Sequence, residues 1–112
     1  MKNEILKERE LINDLFDAYG ELLTDKQKKI FEEYYLYDLS LSEIAEEQEI
    51  TRSAVNDSLK KTLAKFEEYE AKVGVLKMKK QIKSLVSLLD KAKTIEEKEE
   101  ALEALKEYTD GI

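Results

Sequence analysis

Leu39–Leu63, LSLSEIAEEQEITRSAVNDSLKKTL, is the stretch on which the fold turns. It opens with Ser40-Leu41-Ser42-Glu43, a capping box: the Ser hydroxyl takes an orphan backbone N–H and the Glu side chain reaches back to the cap. Leu41, Ile44 and Ala45 follow at helical spacing, and Ala45 is the small side chain that crossing helices need where their backbones approach. Gln48-Glu49-Ile50 makes a tight turn, and Thr51 is placed to cap a second helix. That helix turns Ala54, Val55, Leu59, Leu63 and Phe66 inward, and Arg52, Ser53, Asn56, Asp57 and Lys60 outward. Two helices joined by so short a turn form a helix-turn-helix, whose second helix ordinarily enters a nucleic-acid groove. Two turn positions depart from the usual pattern. Glu49 stands where Gly is typical, at a strain cost of about 1 kcal/mol if the backbone is left-handed there, and Gln48 stands where an apolar residue is usual.

Working outward, the spacing predicts helices on both sides. A first helix runs from about Asn3 to Leu23, with Leu11, Leu15 (flanked by Ile12 and Phe16), Tyr19 and Leu22 as its stripe and Gly20 in its last turn. Thr24-Asp25-Lys26-Gln27 is a second capping box, opening a helix whose buried face is Ile30, Phe31, Tyr34 and Tyr37. The aromatic run Phe31, Tyr34, Tyr35 and Tyr37 falls at i+3 and i+4 and reads as core; the competing reading is stacking on unpaired bases. The helix after Thr51 continues to about Lys72, and Gly74 is its C-cap or a tolerated interruption. A fifth helix, about Val75 to Lys91, carries Ile82, Leu85, Val86 and Leu89. Thr94-Ile95-Glu96-Glu97, a third capping box, opens a sixth with Ile95, Leu102, Leu105 and Tyr108. The last two read as an antiparallel pair with its loop at Ala92–Lys93. The expected fold is all-α, one domain over 1–112: an N-terminal helix (1–23), a helix-turn-helix core (24–72) and a C-terminal helical pair (75–109).

Composition narrows the chemistry. The 112 residues contain no Cys and no His, which excludes disulfides, thiol nucleophiles, ordinary zinc sites and His-based acid–base catalysis. There is no Pro and only three Gly, which disfavours a turn-rich β architecture. The carboxylates form no specific pair and there is no Gly-rich phosphate loop, so neither an enzyme nor a metal or cofactor site is expected. No apolar run reaches membrane-spanning length and the N-terminus lacks a signal-peptide core. The expected location is cytoplasmic.

The net charge of −7 hides three blocks: −8 over residues 1–50, +6 over 51–93 and −5 over 94–112. The basic block starts at the second helix of the motif, so an anionic partner is expected to meet the middle third. In a groove, Arg52, Ser53, Asn56 and Lys60 would face bases, with Lys61 and Lys65 on phosphates; Arg pairs with guanine and Asn with adenine. Asp57 opposes this unless it accepts from cytosine or pairs with Lys60 or Lys61. Asn56 and Asp57 also read as plain solvated surface. Lys72, Lys77, Lys79, Lys80 and Lys83 form a second cationic set, suited to backbone contact with steep salt dependence, or else to solvation beside acidic helices. The tail Glu96-Glu97-Lys98-Glu99-Glu100 reads as solubilising, or as a competitor with phosphate.

Residues 21–66, from LTDKQKKIFEEYYLYDLSLSEIAEEQEI to TRSAVNDSLKKTLAKF, resemble region four of bacterial sigma factors. A narrower resemblance spans roughly residues 8–90. Its motifs are Leu15-Phe16-Asp17-Ala18-Tyr19, Leu22-Leu23-Thr24-Asp25-Lys26-Gln27, Glu33-Tyr34-Tyr35, Leu41-Ser42-Glu43-Ile44-Ala45-Glu46-Glu47, and Ala54-Val55-x-Asp57 followed by Glu68-Tyr69-Glu70. These look like the YlxM family of small bacterial helix-turn-helix proteins. The resemblance implies a regulator tied to the signal recognition particle, whose RNA or GTPase subunit would be the partner. A DNA-binding transcription regulator is the alternative, and an adaptor acting through the C-terminal pair a third reading. A homodimer through the apolar edge of that pair is a further expectation.

Overall fold

The computed structural model describes the backbone of residues 2–112 and the side-chain surroundings of residues 8–112. Among these residues there are helices and turns and no strands, grouped into two compact units, Met1–Val73 and Gly74–Ile112. The all-α expectation holds.

The first unit contains α1 (Lys2–Tyr19), α2 (Asp25–Phe31), α3 (Leu41–Gln48) and α4 (Arg52–Val73). α1 ends earlier than its apolar pattern predicts. A 3-10 turn takes over at Gly20–Leu22, and its tighter winding, about 120° per residue instead of 100°, rotates Leu22 out and Leu23 in. Leu22 is accordingly 60% exposed and Leu23 buried. The buried stripe is Ile12, Leu15 and Tyr19; the expected Leu11 lies one helical step away from it and is exposed. Gly20 is required by packing, since a Cβ there would stand 2.9 Å from the Phe16 ring.

α2 begins at the expected box: the Gln27 N–H donates to Thr24 Oγ1 and the Thr24 N–H to Gln27 Oε1, both at 3.2 Å. Together such contacts contribute about 1 kcal/mol. The helix continues as one π-helical turn, Glu32–Leu36, with the Tyr37 N–H donating to the Glu32 carbonyl at 3.0 Å. This turn holds one residue more than an α-turn, and it carries Tyr37 off the buried face: expected inside, Tyr37 is 66% exposed. Asp38 then takes a left-handed conformation (φ 55°) and the Leu39 N–H closes onto the Glu33 carbonyl at 2.9 Å, one residue wider than the six-to-one bond of an α-helix C-terminus, as the π-turn before it requires.

The rest of the aromatic run is core. Phe31 is fully buried and stacks on Phe16, with centroids 4.5 Å apart and planes 13° from parallel. Phe66 meets it edge-on at 5.7 Å and Tyr35 tilts against it at 4.7 Å. Ile30, Ile44, Ala45, Val55 and Leu59 form the adjoining aliphatic cluster where α2, α3 and α4 meet. On α4 the buried stripe is Val55, Leu59, Thr62 and Phe66, spaced i, i+4, i+7 and i+11. Ala54, expected inward, is exposed, and Thr62 takes a buried place although its hydroxyl has no hydrogen-bond partner. Tyr19 ties α1 to α4 by donating to Glu70 Oε1 at 2.7 Å.

The second unit is a helical hairpin of α5 (Val75–Lys91) and α6 (Ile95–Asp110). Gly74, left-handed at φ 70°, separates α4 from α5 and starts the latter, its carbonyl accepting from the Met78 N–H at 2.9 Å. At α6 the third capping box is half formed. Thr94 Oγ1 accepts the Glu97 N–H at 3.1 Å, but the Glu97 carboxylate accepts from Lys93 N–H at 2.9 Å, one residue before the cap. α5 has no buried residue and α6 has one, Ala101. Ile95 and Leu102, expected inside, are exposed, Ile95 at 76%. Two helices have only one mutual face to bury, and here it is filled from α6 by Ala101, Ala104, Leu105 and Tyr108; Ile95 and Leu102 sit about a quarter-turn or more round the helix.

Candidate nucleic-acid interface

The interface is built from the turn between α3 and α4. α3 starts at Ser40, whose Oγ accepts the Glu43 N–H at 3.0 Å while Glu43 Oε1 accepts the Ser40 N–H at 3.1 Å. It ends at Glu49, which adopts φ 56° and ψ 42°, the left-handed geometry expected of a residue in a glycine position. The Ile50 N–H then folds back onto the Ala45 carbonyl at 3.0 Å. Two residues later α4 begins, with Thr51 Oγ1 accepting the Ala54 N–H at 3.0 Å. Ser40 thus fixes the start of α3, Glu49 and Thr51 set the two ends of the turn, and the α3·α4 packing makes the pair a helix-turn-helix.

A buried contact that the sequence reading did not identify braces this unit. Glu33, 5% exposed, accepts from Gln48 Nε2 at 2.9 Å through Oε1, and its Oε2 has no hydrogen-bond partner. The unusual Gln48 is explained: it satisfies a carboxylate buried behind α3. The one signal in the sequence was a polar residue at a normally apolar turn position.

The outward residues of α4 divide into stripes. Ser53, Asp57 and Lys60 lie on the face opposite the Val55–Phe66 core stripe. Arg52 and the half-buried Asn56, four residues apart, occupy one shoulder. Lys61 and Lys65, also four apart, occupy the other. Arg52, Lys60, Lys61 and Lys65 form no ion pair among the described residues. Their charges extend over about 20 Å of helix at 1.5 Å per residue. Asp57 stands in the central stripe, so the face is cationic at its edges and interrupted at its middle.

The second cationic set is less uniform than its sequence suggests. Lys72, on α4, bonds Glu68 one helical turn earlier at 2.9 Å. That bond raises the Lys72 pKa and lowers that of Glu68, holding both charged. Lys77, Lys79, Lys80 and Lys83 are exposed on α5, in the other compact unit. Of the other candidates for base stacking, Tyr34 and Tyr35 are half-buried and in edge contact with each other at 4.9 Å, whereas Tyr37 is exposed. Burial also pushes the Tyr35 hydroxyl pKa up. Among the described residues there is no cluster of carboxylates fit to hold a metal ion, and no helix is long and apolar enough to cross a membrane.

An all-α chain in which a short capped turn joins two packed helices, α3 and α4, is a helix-turn-helix protein. Residues 6–107 match the family described as "Putative helix-turn-helix protein, YlxM / p13 like". The chain is similar to the UPF0122 protein of Halalkalibacterium halodurans, 46% identical over 98 residues that cover 84% of this chain and 90% of that protein. It is similar to a UPF0122 protein of Bacillus cereus strain AH187, 42% identical over 108 residues and 96% of each chain. A UPF0122 protein of Listeria monocytogenes is 51% identical over 79 residues, covering 70% of this chain and 72% of its own length. The chain belongs to this YlxM / p13-like family. The match reaches through the hairpin, past the span of the sequence resemblance.

Proposed function

We propose that this chain is a non-enzymatic regulatory protein of the signal recognition particle pathway, working in the cytoplasm and binding the particle's RNA through the edges of α4. Arg52, Lys60, Lys61 and Lys65 would supply the charge, and Ser53 and Asn56 the hydrogen bonds. The observation that carries the nucleic-acid part is the set of four exposed or half-exposed cations on α4 with no ion pair among the described residues. The pathway rests on the resemblance to the YlxM family, and the particle's GTPase subunit is the other partner that this resemblance implies. Asp57 favours RNA over duplex DNA: a helix docked straight into a major groove would bring its carboxylate towards bases and phosphates, whereas contacts from the two shoulders leave it in solvent. The Lys residues on α5 would add backbone contacts.

The second reading is a DNA-binding transcription regulator, and the observation that favours it is the position of Arg52 and Asn56 in the first two turns of α4, where groove-reading helices carry base contacts. Salt-titrated binding to the particle's RNA, to duplex DNA and to the GTPase subunit separates the readings. RNA binding with a log–log salt slope of about −3, reflecting four cations and about 0.7 counterions each, is the expected result. It should fall at least about tenfold in Arg52→Ala/Lys60→Ala. Sequence-selective duplex binding that survives 0.2 M salt would overturn the RNA assignment, as would unchanged affinity in the double variant.

A further inference from the structure

α4 carries what a groove-reading helix needs, with one exception. From Arg52 to Phe66 there are four basic residues and a single acidic one, Asp57. Asp57 stands two residues before the buried Leu59, and so about 160° round the helix from it. It is exposed, in the middle of the outward side. Along the axis it lies about 7.5 Å from Arg52 and about 12 Å from Lys65, at 1.5 Å per residue. Lys60 and Lys61, three and four residues on, are spaced to neutralise it across one helical turn. Asp57 nevertheless forms no ion pair among the described residues. A carboxylate without a partner thus occupies the centre of an otherwise cationic face.

We propose that Asp57 determines specificity by exclusion, keeping α4 out of the major groove of duplex DNA. The inference rests on α4 being the nucleic-acid-reading helix proposed above. A B-DNA major groove is about 12 Å wide, and a helix with its side chains is about 10–12 Å across. A helix that enters the groove fills it, so the residue at the centre of its outward side meets base edges between two rows of phosphates. There the carboxylate loses its water among like charges, and only the amino groups of cytosine and adenine offer it a donor. RNA imposes no such docking. The major groove of an A-form helix is too deep and narrow to be read this way, and unpaired segments can lie along the shoulders, where Arg52, Lys61 and Lys65 stand. A repulsive group set against the wrong partner gives specificity without adding a contact to the right one. Apart from Asp57, the residues that would read a duplex are already in place.

The test is binding of the full chain and its variants to a mixed-sequence DNA duplex and to the particle's RNA, by fluorescence anisotropy at about 0.05 M salt. Asp57→Asn and Asp57→Ala change one exposed side chain, and circular dichroism checks that helicity is kept. Each should raise duplex affinity at least about tenfold, and RNA affinity less than about threefold. Glu67→Gln removes the same charge from an exposed position about 15 Å further along α4; it should raise duplex affinity less than about threefold. Adding Arg52→Ala/Lys60→Ala to Asp57→Ala should remove most of the gain.

Unchanged duplex binding in Asp57→Ala would overturn the inference, and so would weaker binding, which would show Asp57 accepting from a base. A gain in Asp57→Asn alone would overturn it too, because the new amide would be making a contact of its own. An equal gain from Glu67→Gln would reduce the effect to net charge, and an equal gain on RNA would remove the discrimination. A gain that survives Arg52→Ala/Lys60→Ala would show that α4 is not the helix that docks. Failure of the RNA assignment is distinguishable from all of these: it is the absence of RNA binding in every chain, and the duplex gain then still decides the role of Asp57.

Discussion

The two units are equally helical and stabilised in different ways. Residues 1–73 close around Phe31, with Phe16, Phe66, Ile30, Ile44, Val55 and Leu59 about it, so each helix has a neighbour on its apolar side. The hairpin of α5 and α6 has a comparable share of Leu, Ile and Val, yet only Ala101 is buried. Four helices can surround a side chain and two cannot. Apolar content is therefore a poor guide to the core, and the number of helix faces meeting at a point is a better one.

The contrast can be broken most strongly at its centre. Phe31→Ala should cost about 3–5 kcal/mol, enough to unfold the first unit at moderate urea. Leu88→Ala on the hairpin, where the side chain is 58% exposed, should cost below about 1 kcal/mol; urea melts of the two variants measure the difference. Next is the buried polar contact. Gln48→Leu leaves the Glu33 carboxylate without its donor and should cost about 2–3 kcal/mol, while adding Glu33→Leu should recover most of the loss. A double-mutant cycle that proves additive would show that the 2.9 Å bond does not couple α3 to the turn before it. Thr62→Val keeps the shape and removes a buried hydroxyl without a partner, so a gain of about 1 kcal/mol is expected in the same melts. The smallest effect is at the turn: Glu49→Gly relieves a left-handed Glu and should stabilise by about 0.5–1 kcal/mol, a rise of a few degrees in Tm.

Local chemistry was legible in the sequence where backbone groups had one obvious partner. Thr24, Ser40 and Thr51 cap their helices as their spacing predicts, and Glu49 is left-handed as its glycine-like position predicts. What the apolar pattern could not show were changes of winding. The 3-10 turn at Gly20 and the π-turn at Glu32 each shift the register, and they account for Leu22 and Tyr37. Ile95 and Leu102 were misplaced for another reason: a helical stripe shows which face seeks burial, without showing whether a partner covers it. For the candidate interface, the outward side of α4 followed from the core stripe once Val55, Leu59 and Phe66 were placed. The Glu33–Gln48 bond did not, because Glu33 lies in the π-turn and Gln48 at the end of α3, and the change of winding that turns Glu33 towards α3 leaves no mark in the apolar pattern.

The aromatic cluster has a practical consequence as well. The chain has no Trp, all three Phe lie in the first unit, and of six Tyr only Tyr108 belongs to the hairpin. The near-ultraviolet dichroism of this protein is therefore largely a reading of residues 1–73, while the far-ultraviolet signal counts both units. A single thermal scan at two wavelengths can follow the two units separately, with no label and no substitution, and any gap between the curves belongs to the hairpin.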